Sequence, residues 1–212
     1  VRGVSECMIE EFMLLANMCA ARLAKEKDIP FVYRVHDQPE AERVEALKKA
    51  LLAMKVDAGF AGETPTVKEL AALLDATRDT PLERAVHTNV LRSMAKAKYE
   101  PQPKGHFGLA LADYAHFTSP IRRYPDLAIH RILGRLCAGA SADEIRQQFT
   151  GFAAEASVQS SECEVRAMKA ERDIDDCYKA EYMQQFIGKE FDAVVASVTS
   201  FGLYVELPNT VE

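Results

Sequence analysis

A chain of 212 residues with 48% apolar side chains can bury a sizeable core, and its 27% charged and 8% aromatic residues are ordinary for a globular domain. The net charge of −6 speaks against a uniformly basic nucleic-acid binder, yet residues 96–135 carry seven basic groups (Lys96, Lys98, Lys104, Arg122, Arg123, Arg131, Arg135) against Glu100, Asp113 and Asp126, a local +4 that leaves −10 for the remainder. There is no apolar run of about 18 residues to span a membrane, Val1-Arg2-Gly3 reads as no signal peptide, and five scattered cysteines without a CxxC pair indicate neither a disulfide framework nor a zinc site, so a reducing cytoplasm is expected. Along the chain, Ile9, Phe12, Met13, Ala16, Cys19, Ala20 and Leu23 recur at helical spacing and predict a helix over 5–27, ended ahead of Pro30. The β-branched and aromatic run Phe31-Val32-Tyr33-Arg34-Val35 predicts a strand or extended link. Three further helices are expected over 39–56, 65–76 and 80–97, with Pro65 and Pro81 near helix starts, where proline is tolerated. Pro101 and Pro103 open a loop, and 107–117 reads as an extended, partly buried segment. Ser119 and Pro120 have the chemistry of an N-cap and first helical position, so a helix is expected from there to about Cys137, stopped by Gly139. Ser141 and Glu144 fit a capping box that opens a second long helical region reaching about Phe186, with Gly151 as a point of interruption. Beyond Gly188 the runs 191–198 and 203–207, joined at Ser200-Phe201-Gly202, predict paired strands, and a domain boundary is placed near 187–189.

Candidate chemistry concentrates in residues 99–133. Arginines in the first turn of a helix oppose its dipole at a cost of about 0.3–1 kcal/mol each, so a helix start that holds Arg122 and Arg123 points to an anion there. The planar guanidinium fork suits phosphate, because it binds two oxygens at once. In a continuous helix Arg122, Asp126 and His130 share one face, and Asp126 can hold Arg122 in place; the plainer alternative is a surface ion pair of about 0.3–0.5 kcal/mol. Upstream, Gly105-His106-Phe107 and Tyr114-Ala115-His116-Phe117 interleave rings and histidines with basic residues. Such side chains either stack on bases and bond ribose and phosphate, or fill a core. Taken alone, the segment reads as a binder of a phosphate-containing ligand, single-stranded nucleic acid among the candidates.

The run Gly105-His106-Phe107-Gly108-Leu109-Ala110-Leu111, then Tyr114-Ala115-His116-Phe117-Thr118-Ser119-Pro120-Ile121-Arg122-Arg123-Tyr124-Pro125-Asp126-Leu127, then His130-Arg131, resembles the signature of the ribonuclease II/R family of 3′→5′ exoribonucleases, and within it the bacterial ribonuclease R branch. Ile9-Glu10-Glu11-Phe12-Met13-Leu14-Leu15-Ala16-Asn17 and Met168-Lys169-Ala170-Glu171-Arg172-Asp173 resemble helices flanking that signature, and residues 188–212 resemble the opening strands of an S1 domain. The resemblance implies an α+β fold. Residues 1–187 would be the mostly helical C-terminal part of an RNB catalytic domain, and 188–212 the N-terminal strands of a truncated S1 (OB-fold) β-barrel that binds RNA.

The activity implied is processive hydrolysis of single-stranded RNA, including 3′ tails of structured RNA, to nucleoside 5′-monophosphates with Mg2+. Carried over by motif, Arg122 would contact the scissile phosphate and stabilise developing charge, and Glu171 would be a catalytic carboxylate. Glu10, preferred over Glu11 because it shares a helical face with Asn17, would approach the last nucleotides. Tyr99, His106, Tyr114, His116, Ser119, Arg123, Tyr124, His130 and Arg131 would line the RNA. The family's magnesium ligands are an aspartate cluster in the earlier part of the catalytic domain, so no metal ligand is expected within this chain. Asp173 and Asp175 do not stand in for it, since they lie about 200° apart around a regular helix. On that reading the chain alone is inactive; the alternative is a non-catalytic RNA-binding or protein-interaction module.

Overall fold

The computed structural model describes residues 3–207. Val1, Arg2 and the last five residues of the expected S1 segment, 208–212, lie outside the described residues. The chain divides into two compact units between Glu162 and Cys163. In the first unit, α1 (Val4–Glu26) leads into β1 (Tyr33–Val35), which pairs antiparallel with β2 (Lys98–Glu100), Tyr33 opposite Glu100. The approach to β1 is the centre of the core: Ile29, Phe31, Val32, Tyr33 and Val35 are all buried. Ala20, Ala21 and Ala24 of α1 close on it from one side, small side chains that let the helix approach the strand. Ala128, Ile129 and Ile132 of α5 (Tyr124–Cys137) and Ile145, Phe149, Ala153 and Ala156 of α6 (Ala142–Gln184) complete the cluster. The spacing on α5 and α6 is the i, i+3, i+4, i+7 stripe of a helix with one face in a core.

A second apolar cluster joins α2 (Ala41–Ala53), α3 (Val67–Thr77) and α4 (Glu83–Ser93) through Leu47, Leu51, Leu70, Leu73, Val86 and Val90. Phe107 packs against this cluster, so its ring serves as core. Thr66 and Glu69 form a reciprocal capping box at the start of α3. The expected box at α6 is also present: Ser141 donates from N–H and Oγ to Glu144, whose N–H donates back to Ser141 Oγ.

Four local expectations change in the structure. The helix expected from Ser119 begins at Tyr124, and residues 119–122 form a closed turn in which Arg122 and Arg123 N–H both donate to Ser119 O. Pro125 is the cause. In a helix begun at Pro120 it would sit in the interior, without an N–H and against the carbonyl of Ile121; restarting at Tyr124 places it in the first turn, where it is tolerated. α4 stops at Ser93 because Met94 turns extended and 98–100 is drawn into β2. The segment 107–117 is not simply extended: Phe107–Leu109 is one turn of 3-10 helix closed by Ala110 in the left-handed region at φ 54°. Gly151 does not interrupt α6, which runs unbroken from Ala142 to Gln184.

In the second unit the remainder of α6 is followed by an antiparallel hairpin, β3 (Val194–Thr199) and β4 (Gly202–Glu206), with a register shift between Val195 and Ser197. The switch from helical to extended backbone thus falls after Gln184, with Gly188 at φ 83° in between. The described chain is mostly helical with two two-stranded sheets. None of its described helices is long and apolar enough to cross a membrane.

Candidate nucleic-acid interface

Residues 114–123 run without regular structure between β2 and α5, and side chains from two helices and a backbone N–H from one strand fix them. Asn17, only 4% exposed on α1, donates from Nδ2 to Tyr114 Oη at 3.1 Å and accepts the Phe117 N–H at 2.8 Å. Arg34 N–H of β1 donates to Tyr114 O at 2.9 Å. From α5, His130 bonds Phe117 O through Nε2 at 2.8 Å, and its ring stacks on Phe117 with centroids 4.3 Å apart and planes 7° off parallel. The bond to a carbonyl makes Nε2 the protonated nitrogen of that imidazole.

Asp126 is fully buried in the first turn of α5. Its Oδ1 accepts the Ser119 N–H at 2.7 Å and Arg123 Nη2 at 2.8 Å. The carboxylate expected to hold Arg122 therefore holds Arg123, because the late start of α5 takes Arg122 out of the helical register that would have set it above Asp126. Arg122 is left on the exposed turn, and its guanidinium forms no ion pair among the described residues.

Four rings extend this loop across the face of β1 and β2. Tyr99 Oη is 3.0 Å from His116 Nδ1, Tyr114 meets His116 edge-on at 5.7 Å, and His106 meets Tyr114 edge-on at 5.3 Å. Arg34 lies over the Tyr99 ring, 4.5 Å from its centroid. His36 then braces His106 from 5.1 Å, accepting the Gly108 N–H at Nδ1 and donating from Nε2 to Ala95 O. Gly105, at φ 82°, makes the bend that brings His106 here; a Cβ there would meet Leu111 O at 3.2 Å and would also be strained.

The electrostatics follow from this packing. Burial, then the positive fields of Arg123, Arg34, His106 and Arg122, push the His116 imidazole down to about 3. Burial, then His36 and Arg34, push His106 down to about 4. Both rings are neutral near pH 7, and around His116 the fixed positive charge is guanidinium. Not all basic residues of 96–135 contribute: Lys98 pairs with Glu100 and Asp37, Lys104 with Glu100, and Arg123 with Asp126. The arrangement offers an anion Arg122 beside neutral hydrogen-bonding rings, a composition suited to phosphate next to ribose or base.

The structure thus brings Tyr99, His106, Tyr114, His116, Ser119, Arg122 and Arg123 into one contiguous region, with His130 behind it bracing Phe117. Tyr124 is 52% exposed at the head of α5. Glu10 is partly buried on α1, two turns before Asn17 and on the same face, whereas Glu11 is exposed. Arg131 stands apart from these contacts, lining a groove with Phe149 and Phe152. Glu171 belongs to the second unit, exposed on α6. Among the described residues no three His, Cys, Asp or Glu side chains converge to hold a metal ion, and Asp173, Asp175 and Asp176 are separate exposed groups on α6.

Asn17, Arg34 and His36 are site residues that the sequence motif did not single out. Each carries a faint signal: a buried amide amid Ala16, Ala20 and Ala21, a charge alternating with Tyr33 and Val35, and a histidine one step beyond an apolar strand.

The RNB domain family matches residues 1–139. Ribonuclease R 1 of Lactococcus lactis subsp. lactis (strain IL1403) is 40% identical over 213 residues, covering 100% of this chain and 26% of that protein. Ribonuclease R of Escherichia coli (strain K12) is 39% identical over 213 residues, covering 97% of this chain and 26% of its own length. Among solved structures, Mycoplasma genitalium RNase R in complex with ribose methylated single-stranded RNA superposes with a TM-score of 0.89 at 29% identity, over 98% of this chain and 33% of that one. The same protein in complex with double-stranded RNA gives 0.87 at 28% identity, over 98% and 37%. The chain spans about a quarter to a third of the length of these relatives. With the family match covering well over half of its residues, this chain belongs to the RNB domain family.

Proposed function

We propose that residues 1–187 of this chain are the C-terminal part of the catalytic domain of a cytoplasmic exoribonuclease, which shortens single-stranded RNA hydrolytically and processively from its 3′ end. Water adds across the terminal phosphodiester, the P–O3′ bond breaks, and a nucleoside 5′-monophosphate leaves a chain with a new 3′-hydroxyl. The observation that carries this reading is the set of arginines gathered about the neutral His116, with Arg122 in no ion pair among the described residues. A group with that freedom and charge can follow a phosphate from ground state to transition state, where one such donor is worth a factor of about 10²–10³. The names of the relatives, and the RNA complexes of the Mycoplasma protein, support RNA as the ligand.

In this reading Glu171 handles the water or the leaving oxygen, and Glu10 approaches the last nucleotides. Mg2+ is held by carboxylates elsewhere in the catalytic domain, and β3 and β4 open an S1 domain. The test is single-turnover cleavage of 5′-labelled single-stranded RNA by the full-length protein. Arg122→Ala should slow the chemical step about 10²-fold or more while RNA affinity falls much less. Near-normal cleavage by that variant would sink the assignment of Arg122, and magnesium-dependent 3′ shortening by the 212-residue chain on its own would overturn the placing of the metal ligands outside it.

A further inference from the structure

We propose that the groove between α5 and the first half of α6 is a second docking site for the RNA strand, separate from the Arg122 region. The proposal rests on the reading that RNA is the ligand, and adds where else the strand is held. Arg131 and Arg135 lie four residues apart on α5 and therefore share a face. Both are exposed, and neither forms an ion pair among the described residues. Glu144 is near enough to feel the charge of Arg135, but its carboxylate is bound to Ser141. The Arg131 guanidinium sits 5.7 Å from the Phe152 ring centroid, and Phe152 is in turn set edge-on against the buried Phe149 at 5.8 Å. With Gln148 and Gly134 these side chains line an open groove of about 380 Å³, the scale of one nucleotide-sized ligand.

Each part has a chemical use. Two forks at one edge match successive oxygens of a phosphodiester, and a partly exposed ring braced by a buried one is a stacking platform for a base. Gly134 keeps the floor open: a Cβ built there meets nothing within 4 Å. Glycine inside a helix is unfavourable, so its presence in the middle of α5 is consistent with a space that must stay clear. A single strand of RNA is the occupant favoured over an acidic peptide, because a carboxylate partner has no use for the ring. Position also agrees. Arg131 and Arg135 lie about 10–16 Å along α5 from its first residue, Tyr124, close enough for one strand to engage both regions.

The experiment is fluorescence anisotropy of a labelled single-stranded oligouridylate with the 212-residue chain across a salt titration. Arg131→Ala/Arg135→Ala should weaken binding about tenfold or more. It should also reduce the slope of log K against log salt by about 1.4, the value for two phosphate contacts on a single strand. Gly134→Leu fills the groove without removing a charge. It should weaken binding comparably while the thermal midpoint holds or rises, which separates blockage from misfolding. If both variants bind like the wild type while Arg122→Ala binds less well, the groove proposal is wrong and the exoribonuclease reading stands. If the wild-type chain binds no oligouridylate, or if a poly-glutamate peptide displaces it in a manner dependent on Arg131 and Arg135, the proposal is equally overturned.

Discussion

Replacing Asp126 with alanine removes the carboxylate around which the 119–126 turn is built. The side chain is 0% exposed, and both of its bonds, from Ser119 N–H at 2.7 Å and Arg123 Nη2 at 2.8 Å, converge on Oδ1. Bonds to a charged group are worth about 1.5–3 kcal/mol each, and breaking a buried pair by removing one partner costs about 3–5 kcal/mol. Two features favour the lower figure. Asp126 Oδ2 is buried with no hydrogen-bond partner, so part of the desolvation cost disappears with the carboxylate. The Arg123 side chain is also 20% exposed and can turn to water. A loss of about 3 kcal/mol is expected, which at about 2–4 °C per kcal/mol lowers the midpoint of the first unit by about 6–12 °C. Asp126→Asn keeps an acceptor but loses the charge, and should cost about half as much. Calorimetry gives the midpoint, and amide exchange at Ser119 should accelerate in step with it. An Asp126→Ala midpoint within about 1 °C of wild type, with the Ser119 amide still protected, would refute the account of this turn.

His116 and His106 ionise at about 3 and about 4 in the folded chain, against an ordinary 6.5. The unfolded chain therefore binds protons first, so this stability is fully present above about 6.5 and is lost as pH falls through 4 towards 3; urea midpoints should track that window, and two histidines titrating near 6.5 in the folded state by NMR would contradict it. Gly108→Ala should cost about 1–3 kcal/mol in a urea melt, because the new Cβ falls 2.9 Å from His36 Nδ1 and that ring, held through both nitrogens, cannot retreat without losing a bond.

Periodicity located the long helices of the first unit, but on α1 it marked the wrong face: Ile9, Phe12, Met13, Cys19 and Leu23 are exposed, and the buried stripe is Asn17, Ala20, Ala21 and Ala24. It misplaced the start of α5 because the N-cap chemistry of Ser119 and the veto of Pro125 compete within six residues, and a capping preference of about 1 kcal/mol loses to a proline clash of about 3. β2 was not expected, since three residues of Lys-Tyr-Glu have no pattern of their own and become a strand only by pairing with β1. In the site, the signature residues around Arg122 were legible as a motif. Their mutual arrangement was not: whether Asp126 serves Arg122 or Arg123 depends on one turn of backbone, and the supports from Asn17, Arg34 and His36 come from segments far away in sequence.

That distance has a consequence in time. The bond from Phe117 to Asn17 closes a separation of 100 residues, and that from Asn17 to Tyr114 one of 97. At a translation rate of about 5–20 residues per second, α1 leaves the ribosome about 5–20 s before the loop it must hold has been made. Through that interval the amide of Asn17 and the Ala20, Ala21 and Ala24 face have none of their later partners from 114–156 to settle against. Between those two moments α1 is therefore a client for whatever shields nascent apolar segments, and the arginine-bearing loop takes its shape only after α1 has waited for it.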